Sequence, residues 1–237
     1  MKTAKLCLIL TLTLLLCLLS PDTDSFWPGV VSLCVGDADG DGLDDMLLLT
    51  GGGCLEEAGL RYADMLLLCD MPKAGQAPVV RTSLDLTRLR PLKIQLGDID
   101  GDGRLEIALC VYKETTFDPQ PAMRPFFYRW EDGDLAPVWR GSRLARPFDD
   151  YRLADLDGDG RAELVSVEAL ADGGRLICVY RWRDFGFEWV AESNALPAPL
   201  TFETSGRSVN RKPFVIVRNG NARRYTVRLE NNELTIR

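Results

Sequence analysis

Three times the chain spells one short acidic pattern: DADGDGLDD from Asp37, DIDGDGRLE from Asp98 and DLDGDGRAE from Asp155. Each copy carries carboxylates at positions 1, 3, 5 and 9 and a glycine at position 6. Four carboxylates in one turn repel each other unless a cation joins them. The oxygen-only donor set and its spacing suit a hard cation, Ca²⁺ before Mg²⁺, which demands a stricter octahedron. The copies start 61 and 57 residues apart, so the turn is expected to be one part of a larger structural repeat.

The expected ligands follow from the spacing. They are Asp37, Asp39, Asp41 and Asp45 in loop 1, Asp98, Asp100, Asp102 and Glu106 in loop 2, and Asp155, Asp157, Asp159 and Glu163 in loop 3. The backbone carbonyls of Leu43, Arg104 and Arg161 add one oxygen each, for up to three Ca²⁺ per chain. An EF-hand begins the same way but needs a glutamate at position 12 between two helices. Position 12 is Leu48, Leu109 and Ser166 here, and the flanks read as strands.

Those flanks are runs of four to eight apolar or alternating residues separated by turn signals, with no long amphipathic helix pattern after the N-terminal segment. Leu92–Leu96 enters loop 2 and Glu106–Tyr112 leaves it; Arg124–Trp130 and Leu135–Trp139 follow. Asp150–Ala154, Glu163–Leu170, Leu176–Trp182 and Phe187–Ala191 repeat that order around loop 3. The tripeptide Tyr128-Arg129-Trp130 returns as Tyr180-Arg181-Trp182. Val30–Val35, Asp45–Leu49, Arg61–Leu68 and Pro78–Leu86 fit the same template. A fourth unit without an acidic loop uses Pro213–Arg218, Arg223–Leu229 and Leu234–Arg237, its first turn carrying Asn-Gly, a strong hairpin signal. The reading is an all-β, propeller-like repeat of four-stranded antiparallel blades in about four units: 30–90, 91–148, 149–196 and 197–237.

The pattern DxDGDGxx(D/E) between two strands, at about sixty-residue spacing, resembles the FG-GAP/VCBS repeats of the integrin α-chain N-terminal β-propeller family. The resemblance covers most of residues 30–195. It implies a propeller whose calcium sits in the loop joining the first two strands of a blade. The Phe-Gly…Gly-Ala-Pro signature of that family is not evident in these blades.

Composition narrows the partners. Net charge is −7 with a pI near 4.8, which argues against nucleic acid, since phosphate binding needs a basic footprint. The chain has no histidine, which removes His-based triads, His general bases and imidazole zinc sites. The expectation is therefore a chain that is not an enzyme but binds a protein or a glycan. The alternative is a secreted polysaccharide-active enzyme using a carboxylate pair, about 5–10 Å apart in a cleft.

Lys2 and Lys5, the largely apolar run Leu6–Leu19 and the turn-prone Ser20–Ser25 make residues 1–25 read as an export signal. An uncleaved signal anchor is the alternative, and the only route by which a membrane enters. A secreted or extracytoplasmic location also suits weak Ca²⁺ sites. Of the five later cysteines, Cys34, Cys69, Cys110 and Cys178 lie in apolar runs and read as small buried hydrophobes. A Cys54–Cys69 bridge stays open. Arg124 to Arg152 interleaves arginines with aromatics. Alternation alone produces such a stretch, with rings packed between blades and arginines facing water; an anionic glycan or peptide surface is the other reading.

Overall fold

The computed structural model describes residues 29–55, 59–72, 78–207 and 213–237. Residues 1–25, the expected export signal, lie outside them. Within the described residues there is no helix, and none long and apolar enough to cross a membrane.

The first blade consists of β1 (Val30–Gly36), β2 (Asp45–Thr50), β5 (Met65–Asp70) and β6 (Val80–Asp85). A small side hairpin, β3 (Gly53–Leu55) with β4 (Leu60–Tyr62), leaves it between β2 and β5. The second holds β7 (Pro91–Gly97), β8 (Glu106–Thr115), β9 (Asp118–Glu131) and β10 (Asp134–Arg140). The third holds β11 (Phe148–Ala154), β12 (Glu163–Ala169), β13 (Arg175–Arg183) and β14 (Gly186–Glu192). The fourth holds β15 (Leu200–Arg207), β16 (Pro213–Asn219), β17 (Arg224–Glu230) and β18 (Glu233–Ile236). Each sheet is antiparallel with its strands in chain order. The first strands β1, β7, β11 and β15 neighbour one another in succession. The result is a four-bladed β-propeller arrangement. Among the described residues no strand pairing joins one blade to another, so the ring is not closed by hydrogen bonds.

The blades hold together through side chains. Because a blade between two neighbours is covered on both faces, its middle strands need apolar residues at every position, not at alternate ones. Strand β8 shows this: Ile107, Leu109 and Val111 enter a cluster with Leu47, Leu49 and Leu66 of the first blade. Ala108 and Cys110 enter another with Leu164 and Cys178 of the third. Strand β13 divides likewise, Cys178 and Tyr180 toward the second blade and Ile177 and Val179 toward the fourth.

The repeat reaches further than the acidic turns. In all four blades the pairing of the first and second strands slips by one residue near the start of the first strand, at Val30/Ser32, Pro91/Lys93, Phe148/Asp150 and Phe202/Thr204. Such bulges re-aim side chains and sharpen twist. The fourth unit therefore shares the local geometry of the other three without their acidic loop.

Two local expectations differ from the structure, and one open alternative closes. Arg61–Leu68 is not one strand: the chain breaks at Ala63-Asp64, where Asp64 N–H donates to Thr50 O at 3.2 Å and Asp64 O accepts from Leu86 N–H at 2.7 Å. The fourth blade has a first strand, β15, ahead of the three segments expected for it. All five described cysteines are free thiols, so Cys54 and Cys69 are not bridged.

Candidate metal centres

Each acidic loop spans the turn between the first and second strands of a blade. The residue before the loop pairs with its position-9 acid: Gly36 with Asp45, Gly97 with Glu106, Ala154 with Glu163. Position 9 thus opens the second strand and is buried, whereas positions 1, 3 and 5 ride on the turn. Asp45 is 2% exposed, and Glu106 and Glu163 are fully buried.

Backbone N–H groups fix the carboxylates. In loop 2, Asp98 Oδ1 accepts from Gly101 N–H at 2.6 Å and Oδ2 from Gly103 N–H at 2.9 Å. Asp100 Oδ1 accepts from Asp102 N–H at 3.1 Å, Asp102 Oδ1 from Arg104 N–H at 2.8 Å, and Glu106 Oε2 from Ile99 N–H at 3.0 Å. Loop 1 repeats the set with Asp37, Asp39, Asp41 and Asp45. Loop 3 repeats four of the five with Asp155, Asp157, Asp159 and Glu163. This web requires a turn tight enough to bend back twice.

Positions 4 and 6 supply those bends, with Gly101 at φ 82° and Gly103 at φ 87°, both left-handed. Only position 6 was expected to need this freedom. A Cβ at Gly103 would meet nothing within 4 Å, whereas one at Gly101 would stand 2.7 Å from Arg161 Nε. We therefore expect Gly103→Ala to cost about 1–2 kcal/mol, the price of a left-handed alanine. Gly101→Ala should cost more, because Arg161 must move as well. Equal losses in thermal melts of the two variants would show that the Arg161 contact contributes nothing.

Carboxylate oxygens converge in every loop. Within 4.8 Å of one another lie oxygens of Asp37, Asp39 and Asp41, of Asp98, Asp100 and Glu106, and of Asp155, Asp157 and Asp159. These three acidic groups could hold a metal ion. Loops 1 and 3 gather positions 1, 3 and 5, and loop 2 gathers positions 1, 3 and 9. Asp45, Asp102 and Glu163 lie outside the tight groups, and the N–H groups of Leu43, Arg104 and Arg161 donate to the position-5 carboxylates. Loop 3 opens on a cavity of about 700 Å³ lined by Leu156–Asp159 and Arg228–Asn232. The side chains are thus reachable from solvent.

The sequence did not announce the arginines. Arg129 Nη2 reaches Asp100 Oδ2 at 2.7 Å, Asp102 Oδ2 at 2.9 Å and Glu106 Oε1 at 2.6 Å. Arg181 takes the corresponding place in loop 3 and reaches two acids, Asp157 Oδ2 at 2.5 Å and Glu163 Oε1 at 3.0 Å. Both belong to the Tyr-Arg-Trp repeat. Strand alternation sends its rings into the interface with the preceding blade, Tyr128 and Trp130 into one and Tyr180 and Trp182 into the next. The arginine goes to the opposite face, next to the loop. In the first blade the residue across from the position-9 acid is Asp70, so Arg81 arrives from the next strand instead. It pairs with Asp39 at 2.8 Å, Asp70 at 2.8 Å and Asp45.

Electrostatics follow burial. Desolvation raises the carboxyls of Asp45 and Glu106 and pushes Glu163 up to about 7, against the pull of N–H donors and the nearby guanidiniums. Burial opposes the charge on Arg129, but Glu106, Asp100 and Asp102 outweigh it and hold the guanidinium above its usual range.

The arginine–aromatic stretch is structural in part. Phe127 lies in the interface between the second and third blades, its ring 4.8 Å from that of Phe187 and 6.1 Å from that of Trp139. Arg124, only 1% exposed, ties Lys113 O, Gln120 O, Ser142 O and the Asp118 carboxylate together. Outside the loops, Glu168 and Glu192 share Arg146, at 3.5 and 2.9 Å. Glu168 is fully buried, bonded by Ser166 at 2.8 Å and Tyr180 at 2.6 Å. Glu168 is thus closed off from solvent, whereas Glu192 is on the surface.

No model of a known family matches the chain, and no curated protein does. Among solved structures, it is similar to a candidate 6-phosphogluconolactonase from Bacteroides uniformis at 11% identity and a TM-score of 0.49, over 86% of this chain and 52% of that one. The chain thus spans about half the length of that structure. This neighbour is named for an enzymatic activity, which corrects the expectation that the chain is not an enzyme: that expectation is withdrawn, and a likeness of this degree assigns no reaction in its place.

Proposed function

We propose that the three loops bind Ca²⁺, that the ions stiffen the blades, and that the propeller is an exported module for binding a protein or a glycan. The observation that carries the metal reading is the convergence of carboxylate oxygens within 4.8 Å at the same turn of three successive blades. The donors are all oxygen, with no histidine in the chain and no cysteine in the loops, which favours a hard cation over a transition metal. Among hard cations, Ca²⁺ tolerates the irregular, multi-carboxylate surroundings that octahedral Mg²⁺ does not. The resemblance to FG-GAP/VCBS repeats supports the same assignment. Export rests on the sequence of residues 1–25 and on the abundance of free Ca²⁺ outside the cell.

Calorimetric titration tests the metal reading. We expect three Ca²⁺ per chain, much weaker uptake of Mg²⁺, and two Ca²⁺ for Asp157→Asn. Absence of any Ca²⁺ heat in the folded wild-type chain would overturn it. For the partner, a glycan array and a pull-down with Ca²⁺-loaded protein are the matching tests, and ligand capture should vanish in chelator.

A further inference from the structure

We propose that Arg81, Arg129 and Arg181 are resident counter-cations that compete with the metal, so that each acidic loop is an exchange site where an ion enters only as a guanidinium leaves. The inference rests on the Ca²⁺ reading above and concerns how those sites are regulated.

The oxygens of loop 2 carry the argument. Its four ligand carboxylates offer eight side-chain oxygens. Five of them, both of Asp98 and one each of Asp100, Asp102 and Glu106, accept backbone N–H groups within the loop. The remaining three are Asp100 Oδ2, Asp102 Oδ2 and Glu106 Oε1, and all three lie within 2.9 Å of Arg129. No carboxylate oxygen of this loop is left without a partner. An ion drawing on Asp100 Oδ2 or Glu106 Oε1 must therefore share that oxygen with a fixed positive charge or displace it. Sharing places a divalent ion within a few ångströms of a guanidinium in a partly buried site, where like charges repel strongly.

The first blade shows that the arrangement belongs to the loop and not merely to one strand position. There the residue opposite the position-9 acid is Asp70 in place of an arginine. The guanidinium is nonetheless present, supplied by Arg81 from the neighbouring strand and anchored by Asp70 itself at 2.8 Å. Two different strand positions deliver the same group to the acids at positions 3 and 9. In loop 3, Arg181 also holds Asn232 of the fourth blade, Nη1 to Oδ1 at 3.2 Å. Ion entry there releases a contact between blades, so occupancy of the loop is felt at the junction of the third and fourth units.

The test is Ca²⁺ titration of the full chain carrying Arg129→Gln, with Arg181→Gln as the second variant and circular dichroism to confirm folding. Exchange predicts that each variant tightens one of the sites about tenfold or more, and that its metal-free melting temperature falls below that of the wild type. Arg129→Lys, which keeps the charge but not the three-way fork, should fall between wild type and Arg129→Gln. A merely structural arginine would lower stability without raising Ca²⁺ affinity. If the wild type binds Ca²⁺ and neither glutamine variant binds it more tightly, exchange is wrong and the metal reading stands. If neither wild type nor variants bind Ca²⁺, both fall together.

Discussion

Chelating the ions from the Ca²⁺-loaded protein should lower its melting temperature by tens of degrees without unfolding it at room temperature. A site held at a hundredfold excess over its Kd stabilises the native state by about 2.7 kcal/mol, so three such sites give about 8 kcal/mol. For a chain of this size each kcal/mol moves the midpoint by roughly 2–4 °C, so the expected shift is about 15–30 °C. The fold survives because Arg81, Arg129 and Arg181 bring positive charge to the acids when no ion does. Refilling with Ca²⁺ should restore the midpoint, and Mg²⁺ should restore only part of it. A melting curve indifferent to chelator would overturn the role of the ions in stability.

The second large effect is independent of metal. Phe127→Ala should cost about 3–5 kcal/mol, the usual range for emptying a buried aromatic site. Phe127 has no exposed surface and sits in a ring cluster that runs through Phe187 to Trp139 and Trp182, at 5.3 and 5.4 Å from Phe187. These rings come from the second and third blades and join two sheets that share no strand pairing. The loss should persist at saturating Ca²⁺, and Phe127→Leu should recover much of it. A cost below about 1 kcal/mol would mean that the cluster does not join the blades.

Much of this architecture was legible in the sequence because the blade interiors are apolar on both faces and the turns are marked by Gly and Asp. Glu106–Tyr112 and Glu163–Leu170 could be placed within a few residues for that reason. Strand β15 escaped notice because Thr201, Glu203, Thr204 and Ser205 give it no apolar run, although its bulge and pairing match those of the other first strands. The side hairpin β3–β4 is too short, at three residues a strand, to leave a periodic signal. The acids of the three loops were legible by spacing. Their arginines were not, since strand pairing and not sequence distance brings Arg129 beside Glu106 and Arg181 beside Glu163. The Tyr-Arg-Trp repeat marked two of them, but nothing in its letters says what the guanidinium touches. Arg81 had no such mark.

One contact described above also links the loops to each other. Arg161 at position 7 of loop 3 crosses Gly101 of loop 2, and the next residue, Ala162, donates its N–H to Asp98 O at 2.6 Å. The residue that starts one acidic turn is thus tied by its own backbone to the end of the next. A change of shape in either turn is therefore passed to the other through this backbone bond. If both loops take up an ion, occupancy of loop 2 is thereby expected to change the affinity of loop 3, and the reverse by the same factor.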